Sequence, residues 1–418
     1  MKVLLVGSGA REHALGWKLA QSDHVDELVS LPGNPGLAEL GPLIEGVEPT
    51  DVGAVAALAR IQSIDFVVVG PEAPLAAGLV DALAGLGIPA FGPSRAAARL
   101  ESSKSFAKDV MIRSGVPTPN AWTFDHAADA ETHIRSRPGP YVVKADGLAG
   151  GKGVLVTGDR DAAIAWAHKC ISAGVGGREP RVVIEEHVAG PELSVFAICD
   201  GTNSLLLEPA RDYKRIGDGD TGPNTGGMGS YSPVALPADL VDRVKRSVVD
   251  PVLETMRNDG TPYVGVLYAG LILTDDGPKV IEFNCRFGDP ETQVVLARLE
   301  SDLFEVLQAA TSNGLKGIEL EWSQDAVVNV VLAAHGYPES PRKGDVITGL
   351  AESPGLIFHA GTIRDGKHLR TAGGRVVSVL GRGADLASAR SAAYEATGAI
   401  SFKGKTYRTD IAATGTVD

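Results

Sequence analysis

Apolar and polar positions fall into blocks along this chain, and the blocks predict its elements. Residues 264–273 are an almost unbroken apolar run, the pattern of a strand buried on both faces. Asp275-Asp276-Gly277-Pro278 signals a turn, and 280–286 read as the returning strand of a hairpin. Near the start, 3–6 predict a buried strand, then the loop Gly7-Ser8-Gly9-Ala10-Arg11-Glu12-His13 and a helix over 12–21. Further buried strands at 66–69 and 88–91 end in Gly70-Pro71-Glu72 and Gly92-Pro93. This alternation predicts a doubly wound parallel-sheet α/β domain over 1–100. Ser102-Ser103-Lys104 opens a helix to about 114, and strands are predicted at 141–144, 154–156 and 182–186. Helices follow over 240–258, 291–299 and 303–312. Beyond Asp325, strands at 327–333, 355–362 and 375–380 with a helix over 386–397 predict a small α+β domain. The expected division is 1–100, 101–320 with a lid subdomain at about 120–190, and 321–418.

Composition narrows the function classes. A chain of 418 residues exceeds one ordinary core, so about two to four domains follow. With 44% hydrophobic and 22% charged residues it reads as a soluble globular enzyme. Its 51 glycines are dispersed, which suits tight turns and close approach of backbone to ligand. A net charge of −13 argues against nucleic acid and anionic membranes as partners, so anionic substrates must be met by local basic groups and backbone N–H groups. Cys170, Cys199 and Cys285 lack metal or disulfide spacing, and a reduced, cytoplasmic compartment is expected. No stretch approaches the ~18 apolar residues of a membrane span, and the N-terminal apolar run is too short for a signal peptide.

The candidate chemistry sits on polar faces and loops. Strand alternation places Glu282, Asn284 and Arg286 on one face of the returning strand, with Ile281 and Phe283 on the other. A carboxylate and an amide oxygen about 7 Å apart along a strand suit Mg²⁺ completed by phosphate oxygens and water. Arg286 beside them could hold a carboxylate or phosphate bidentately. Alone, the same pattern equally fits the solvated face of an edge strand. The glycine-rich hairpin loop 146–153 is not a Walker A loop, but it lets N–H groups approach phosphates, with Lys144 on the preceding strand. Glu185-Glu186-His187-Val188 ends a strand whose main chain could hold an adenine, and Glu192 could hold ribose. Of the paired acids, one is expected solvated and one buried. The long polar stretch 210–232 carries Arg211, Lys214 and Arg215 near Thr225-Gly226-Gly227-Met228-Gly229, which reads as a mobile phosphate-facing lid. Glu72 is either a substrate contact or a helix-start acid favoured by the macrodipole. Gly7-x-Gly9 opens a second enzyme class, an NAD-dependent oxidoreductase, although Glu12 stands where the fingerprint wants a third glycine.

Taken together, GSGAREHA, GPEAPL, YVVKADGLAGGKGV, EEHVAGPELS, DYKRIGDGDTGPNTGGMGSYSP, GPKVIEFNCRFGDPETQ, VLAAHGYPES and YRTDI resemble the phosphoribosylamine–glycine ligase family of the ATP-grasp superfamily over essentially the whole chain. Ala10 departs from the family's usual glycine there. The resemblance implies ATP-grasp central domains and a reaction of ATP, glycine and 5-phosphoribosylamine through a glycyl phosphate to glycinamide ribonucleotide, in purine synthesis. It implies Mg²⁺, or Mn²⁺ in its place, on Glu282 and Asn284. Lys104, Lys144, Gly147, Gly151 and Gly153 would hold the triphosphate, and Glu185, Glu186, Val188 and Glu192 the nucleoside. Arg286, Lys214, Asp212 and Asp289 would orient glycine and the acyl phosphate, while Gly9, Arg11 and Glu72 would face the ribosylamine. A monomer acting on small molecules is expected, with Cys285 as plain packing.

Overall fold

A computed structural model describes residues 1–150, 153–172, 174–175 and 180–413. The first region alternates Lys2–Gly7 (β1), Ala10–Leu19 (α1), Glu27–Pro32 (β2), Val52–Ile61 (α2), Phe66–Val69 (β3), Glu72–Ala77 (α3), Leu79–Ala84 (α4) and Ala90–Phe91 (β4). The strands form a parallel sheet ordered β2-β1-β3-β4. β1 and β3 are apolar throughout because helices cover both faces. Val3, Leu5, Phe66 and Val68 pack with Ala14 and Leu15 of α1, whereas Leu4, Val6, Val67 and Val69 pack with Val55 of α2 and Leu83 of α4.

Arg99–Ser102 (α5) leads to Lys104–Arg113 (α6), capped by the Ser103 hydroxyl, which accepts the Phe106 N–H at 3.2 Å. Ala121–Phe124 (β5), Ala127–Arg135 (α7), Tyr141–Ala145 (β6), Val154–Thr157 (β7), Arg160–Ser172 (α8) and Val182–Glu186 (β8) follow. They build an antiparallel sheet β5-β8-β6-β7 whose own core includes Ile134, Val143, Ala167 and Ile184.

Glu192–Asp200 (β9) and Ser204–Leu206 (β10) begin a second antiparallel sheet. The stretch 210–232 is not the unstructured lid expected of it. It forms Arg211–Asp212 (β11), Arg215–Gly217 (β12), Thr221–Asn224 (β13) and Gly229–Ser232 (β14), with β12 and β13 paired as a hairpin. Tyr213, Met228 and Tyr231 are buried, Tyr213 and Tyr231 within the main core, and charges secure the polar remainder. The buried Arg408 reaches Asp220 Oδ1 at 2.6 Å and the Arg215 carbonyl at 3.2 Å, and Asp218 accepts the Thr409 N–H at 2.8 Å.

Leu240–Val244 (α9) and Asp250–Asn258 (α10) make up the predicted helix and run into each other through a wider π-helical turn at Lys245–Val249. Pro251 near the start of α10 has no N–H to continue the regular ladder. Val264–Thr274 (β15) and Gly277–Asn284 (β16) are the predicted hairpin and complete the sheet β10-β9-β15-β16. Glu291–Arg298 (α11) and Leu303–Thr311 (α12) precede Ala326–Ala333 (β17), Val346–Ile347 (β18), Leu356–His359 (β19), Thr362–Asp365 (β20), His368–Thr371 (β21), Arg375–Gly383 (β22) and Leu386–Ala399 (α13). β17, β22 and β19 share a sheet with the earlier strands, in the order β11-β14-β17-β22-β19. Among the described residues no helix is long and apolar enough to cross a membrane.

The glycine loop after β1 serves its own helix. Glu12 Oε2 accepts the Gly9 N–H at 2.6 Å, and Arg11 Nε reaches Glu12 Oε1 at 2.6 Å. A Cβ on Gly7 or Gly70 would lie 2.4 Å from the Glu12 side chain. These glycines therefore make room for an internal carboxylate where a dinucleotide's pyrophosphate would sit, and the oxidoreductase reading fails on that charge. The loop also meets the C-terminal strands. Asn34 Nδ2 donates to the Ser8 carbonyl at 2.9 Å and to the His359 carbonyl at 2.8 Å, and His13 Nδ1 accepts the His359 N–H at 2.8 Å.

Glu12→Ala would leave Arg11 buried without its partner and should lower stability by about 3–5 kcal/mol in urea titrations. The two buried histidines make stability depend on pH. Burial, with His359 adding, pushes His13 from 6.5 to about 3, and burial with Arg364 pushes His359 to about 4. Both folded values lie below 6.5, so the unfolded chain takes up protons first as pH falls. Stability should be full above about pH 6.5 and decline below it, each histidine contributing about 1.4 kcal/mol per pH unit. His13→Gln should flatten that slope by its share when unfolding is measured at pH 7, 6 and 5.

Candidate active site

A bulge in β16 shapes the site. Gly270 pairs with Glu282, but Leu271 pairs with Val280, so Ile281 is the extra residue. The bulge lets Val280, Phe283 and Cys285 share the apolar core and leaves Ile281 out of it. The expected partnership of Ile281 with Phe283 is corrected accordingly: strict alternation cannot survive an inserted residue. β16 stops at Asn284, yet Arg286 turns back so that Nη2 donates to Asn284 Oδ1 at 3.1 Å. Burial opposes the Glu282 charge, but Lys214, Lys144, Lys104 and Arg286 overcome it and hold the carboxyl below its usual range. An ionised carboxylate and an amide oxygen on one strand are a donor set that fits Mg²⁺. Cys285 is a buried thiol beside the Ala97 and Ala98 carbonyls.

On one side lies the glycine-rich loop. Lys104, the first residue of α6, donates to the Gly147 carbonyl at 3.0 Å, and Asp146 accepts the Ser105 N–H at 3.2 Å. Gly147 has φ +122°, a backbone that favours glycine. The Gly153 carbonyl accepts the Ala145 N–H at 2.8 Å, while Gly151 lies outside the described residues. Lys144 Nζ donates to the carbonyl of the bulged Ile281 at 2.8 Å and pairs with Glu185 Oε2 at 2.9 Å. The paired acids divide as expected. Glu186 is exposed beside Asn120, and Glu185 is buried between Lys144 and Lys108, the latter at 3.3 Å. Burial pushes Lys108 down to about 8 against the pull of Glu185. Val188 is half-buried just past the end of β8.

Across the hairpin, Lys214 stands between Glu192 and Asp212, with Asp212 Oδ2 at 3.9 Å. Burial pushes the Asp212 carboxyl up, Lys214 opposes, and Glu291, Glu192 and Glu282 add to the rise. Glu291 is also pushed up by burial, although Ser194 donates to its Oε1 at 3.0 Å. Tyr268 lies 3.1 Å from the same Ser194 hydroxyl. Glu291, Ser194 and Tyr268 escaped the sequence reading. Glu291 opens a helix, where an acid passes for a dipole partner, and the other two sit inside apolar strands.

The third face joins the N-terminal domain to the hairpin. Arg286 reaches Glu72 at 3.5 Å and Glu101 at 3.3 Å, and Arg11 lies 4.0 Å from Glu72. Arg11 and Arg286 both donate to the Phe287 carbonyl at 3.2 Å. Burial works against the Glu72 charge, but Arg286 and Arg11 hold its carboxyl below the usual range. Glu101, more deeply buried, is pushed up. Asp289 pairs with Arg375 of β22 at 2.7 Å and accepts Gln293 at 3.0 Å, and its Oδ2 would lie 3.8 Å from a Cβ on Gly9. Glu101 and Arg375 were also missed, because long sequence separation hides them. The structure thus gathers Glu282, Asn284, Lys104, Lys144, Lys214, Asp212, Glu192 and Arg286 around one hairpin face, with Gly9, Arg11, Glu72 and Asp289 reached through Arg286. Glu186 stands apart at the surface.

Comparison with known proteins accounts for nearly the whole chain. Residues 1–101, 102–292 and 327–414 match the N domain, the ATP-grasp (A) domain and the C domain of phosphoribosylglycinamide synthetase. The phosphoribosylamine–glycine ligase of Streptomyces coelicolor is 52% identical over 422 residues, covering 99% of both chains. That of Rhizobium meliloti is 47% identical, covering 98% of both. The crystal structure of phosphoribosylamine–glycine ligase from Thermotoga maritima superposes with a TM-score of 0.86 at 37% identity, covering 98% of this chain and 100% of the other. At 16% identity, the biotin carboxylase domain of Hydrogenobacter thermophilus 2-oxoglutarate carboxylase, solved with MgADP, shares the fold with a TM-score of 0.72, covering 97% and 91%. With three successive domain matches and full-length relatives at this identity, the chain belongs to the phosphoribosylglycinamide synthetase family.

Proposed function

We infer that this chain joins glycine to 5-phosphoribosylamine, cleaving ATP to ADP and phosphate and giving glycinamide ribonucleotide for purine synthesis. The observation that carries the reading is the half-buried, ionised Glu282 beside Asn284, within the field of Lys104, Lys144, Lys214 and Arg286. A carboxylate kept charged among cations suits a divalent ion and a polyphosphate far better than a hydride acceptor. Glu282 and Asn284 would hold Mg²⁺, which when bound screens the phosphate charge. Mn²⁺ accepts the same oxygen donors.

The chain's own groups do the positioning. Lys104 and Lys144 meet the phosphates, with the N–H groups of Gly147 and Gly153 around them. The main chain at Glu185, Glu186 and Val188 takes the adenine, and Glu192 the ribose. Arg286, with Lys214, Asp212 and Asp289, orients glycine so that its carboxylate oxygen attacks the γ-phosphorus as the bond to ADP breaks. The resulting glycyl phosphate has a carbonyl carbon that the ribosylamine nitrogen can attack. The amide bond forms, phosphate leaves and the nitrogen gives up a proton. Gly9, Arg11 and Glu72 face the ribosylamine, next to Arg286.

The groups assigned here need no residue from a second copy, which is consistent with a monomer. Three unpaired thiols suit a reducing cytoplasm.

An ADP-release assay should give turnover only with ATP, glycine and freshly generated phosphoribosylamine together. Release indifferent to glycine would sink the ligase reading. Glu282→Ala should cut kcat by at least ~10²–10³-fold, the scale of losing one charge-stabilising group, while the thermal unfolding midpoint stays near that of the parent.

A further inference from the structure

We propose that Lys108 is a positioning residue for nucleotide binding: by neutralising Glu185, it frees the charge of Lys144 for the phosphates. The inference rests on reading Lys144 as a phosphate-binding group, and goes beyond it by assigning a role to a lysine outside that set. Lys108 lies on α6, and its side chain is 6% exposed. Its ammonium is 3.3 Å from Glu185 Oε1 and donates to Thr118 Oγ1 at 2.6 Å. The other Glu185 oxygen is 2.9 Å from Lys144 Nζ. One carboxylate therefore lies between two ammonium groups, and the trio carries one net positive charge. Without Lys108, Glu185 and Lys144 would cancel, and a polyanion would meet a neutral pair.

The geometry keeps Lys144 ready. Two of its three N–H groups are taken, by Glu185 and by the Ile281 carbonyl at 2.8 Å, which leaves one for a ligand. Both ends of the trio are tied to the bulge in β16. The Thr118 hydroxyl in turn donates to the Val280 carbonyl at 2.7 Å, and Lys144 donates to the carbonyl of Ile281, the residue before Glu282. Beyond the trio, Lys144 also faces the charge of Glu282, which a bound divalent ion would take up. The surplus charge makes sense if an anion arrives to meet it.

The test is calorimetric binding of MgADP and of adenosine to the full chain. Lys108→Met should weaken MgADP by about tenfold or more, the scale of one charge-assisted contact, and leave adenosine within about twofold. Lys108→Arg should bind both like the parent. Neutralising the acid as well, in Lys108→Met/Glu185→Gln, should return much of the lost MgADP affinity because Lys144 regains its charge. Equal weakening of both ligands would reduce Lys108 to a structural role, and an unchanged MgADP affinity would overturn the proposal outright. Should the methionine variant not fold, Lys108→Gln keeps a donor toward Thr118 and makes the same comparison. Lys144→Met serves as the reference. If it binds MgADP like the parent, the phosphate reading of Lys144 is what has failed.

Discussion

Carboxyl groups packed out of water stay ionised only where cations stand beside them. That constraint organises the centre of this molecule. Glu282, Asp212 and Glu291 converge on one hairpin face, and Lys214, Lys144, Lys104 and Arg286 converge with them. The balance is uneven. Glu282 is held low by its four cations, whereas Asp212 and Glu291 are pushed up by burial. One neighbourhood therefore keeps one acid charged and lets two lean toward their neutral forms, which is the kind of divergence that separates roles within an active site.

Arg286 ties this centre to the N-terminal domain. Its guanidinium is shared among Glu72, Glu101, Asn284 and the Phe287 carbonyl. A planar donor set can serve several acceptors at once, and a lysine could not replace it here. Glu12 plays the matching part on the far side: it satisfies the start of α1 from within, so the loop carries no free anion site of the dinucleotide kind.

Much of the fold was legible because it is written in apolar periodicity. β1, β3 and β15 are unbroken apolar runs, and the glycine and proline punctuation around them marks where they stop. The site was legible where chemistry clusters along the chain, as at Glu282, Asn284 and Arg286. It was hidden where partners come from afar. Glu101 and Arg375 are far from the residues they hold, and nothing local announces them. The bulge at Ile281 was invisible because a strand with one extra residue has the same composition as one without. The strands within 210–232 were missed because their few buried side chains, Tyr213, Met228 and Tyr231, are spaced too widely to show a period, and Arg408 anchors the polar remainder.

The sheet β11-β14-β17-β22-β19 has an implication for how the protein is made. β11, next to Lys214, and β14 are synthesised long before β17 and β22, yet β14 has β17 as its neighbour on one side. As the chain leaves the ribosome, the strands of the N-terminal parallel sheet and α1 to α4 are all made early, and Phe304 of α12 reaches Phe66 to complete one face only later. The ligand-holding centre is later still. Its Lys214 segment waits with an open edge until the last third of the polypeptide emerges, and Arg375 and Arg408 arrive only then. Closing this sheet is thus one of the later steps of folding, because β14 has no neighbour on that side until β17 has been made.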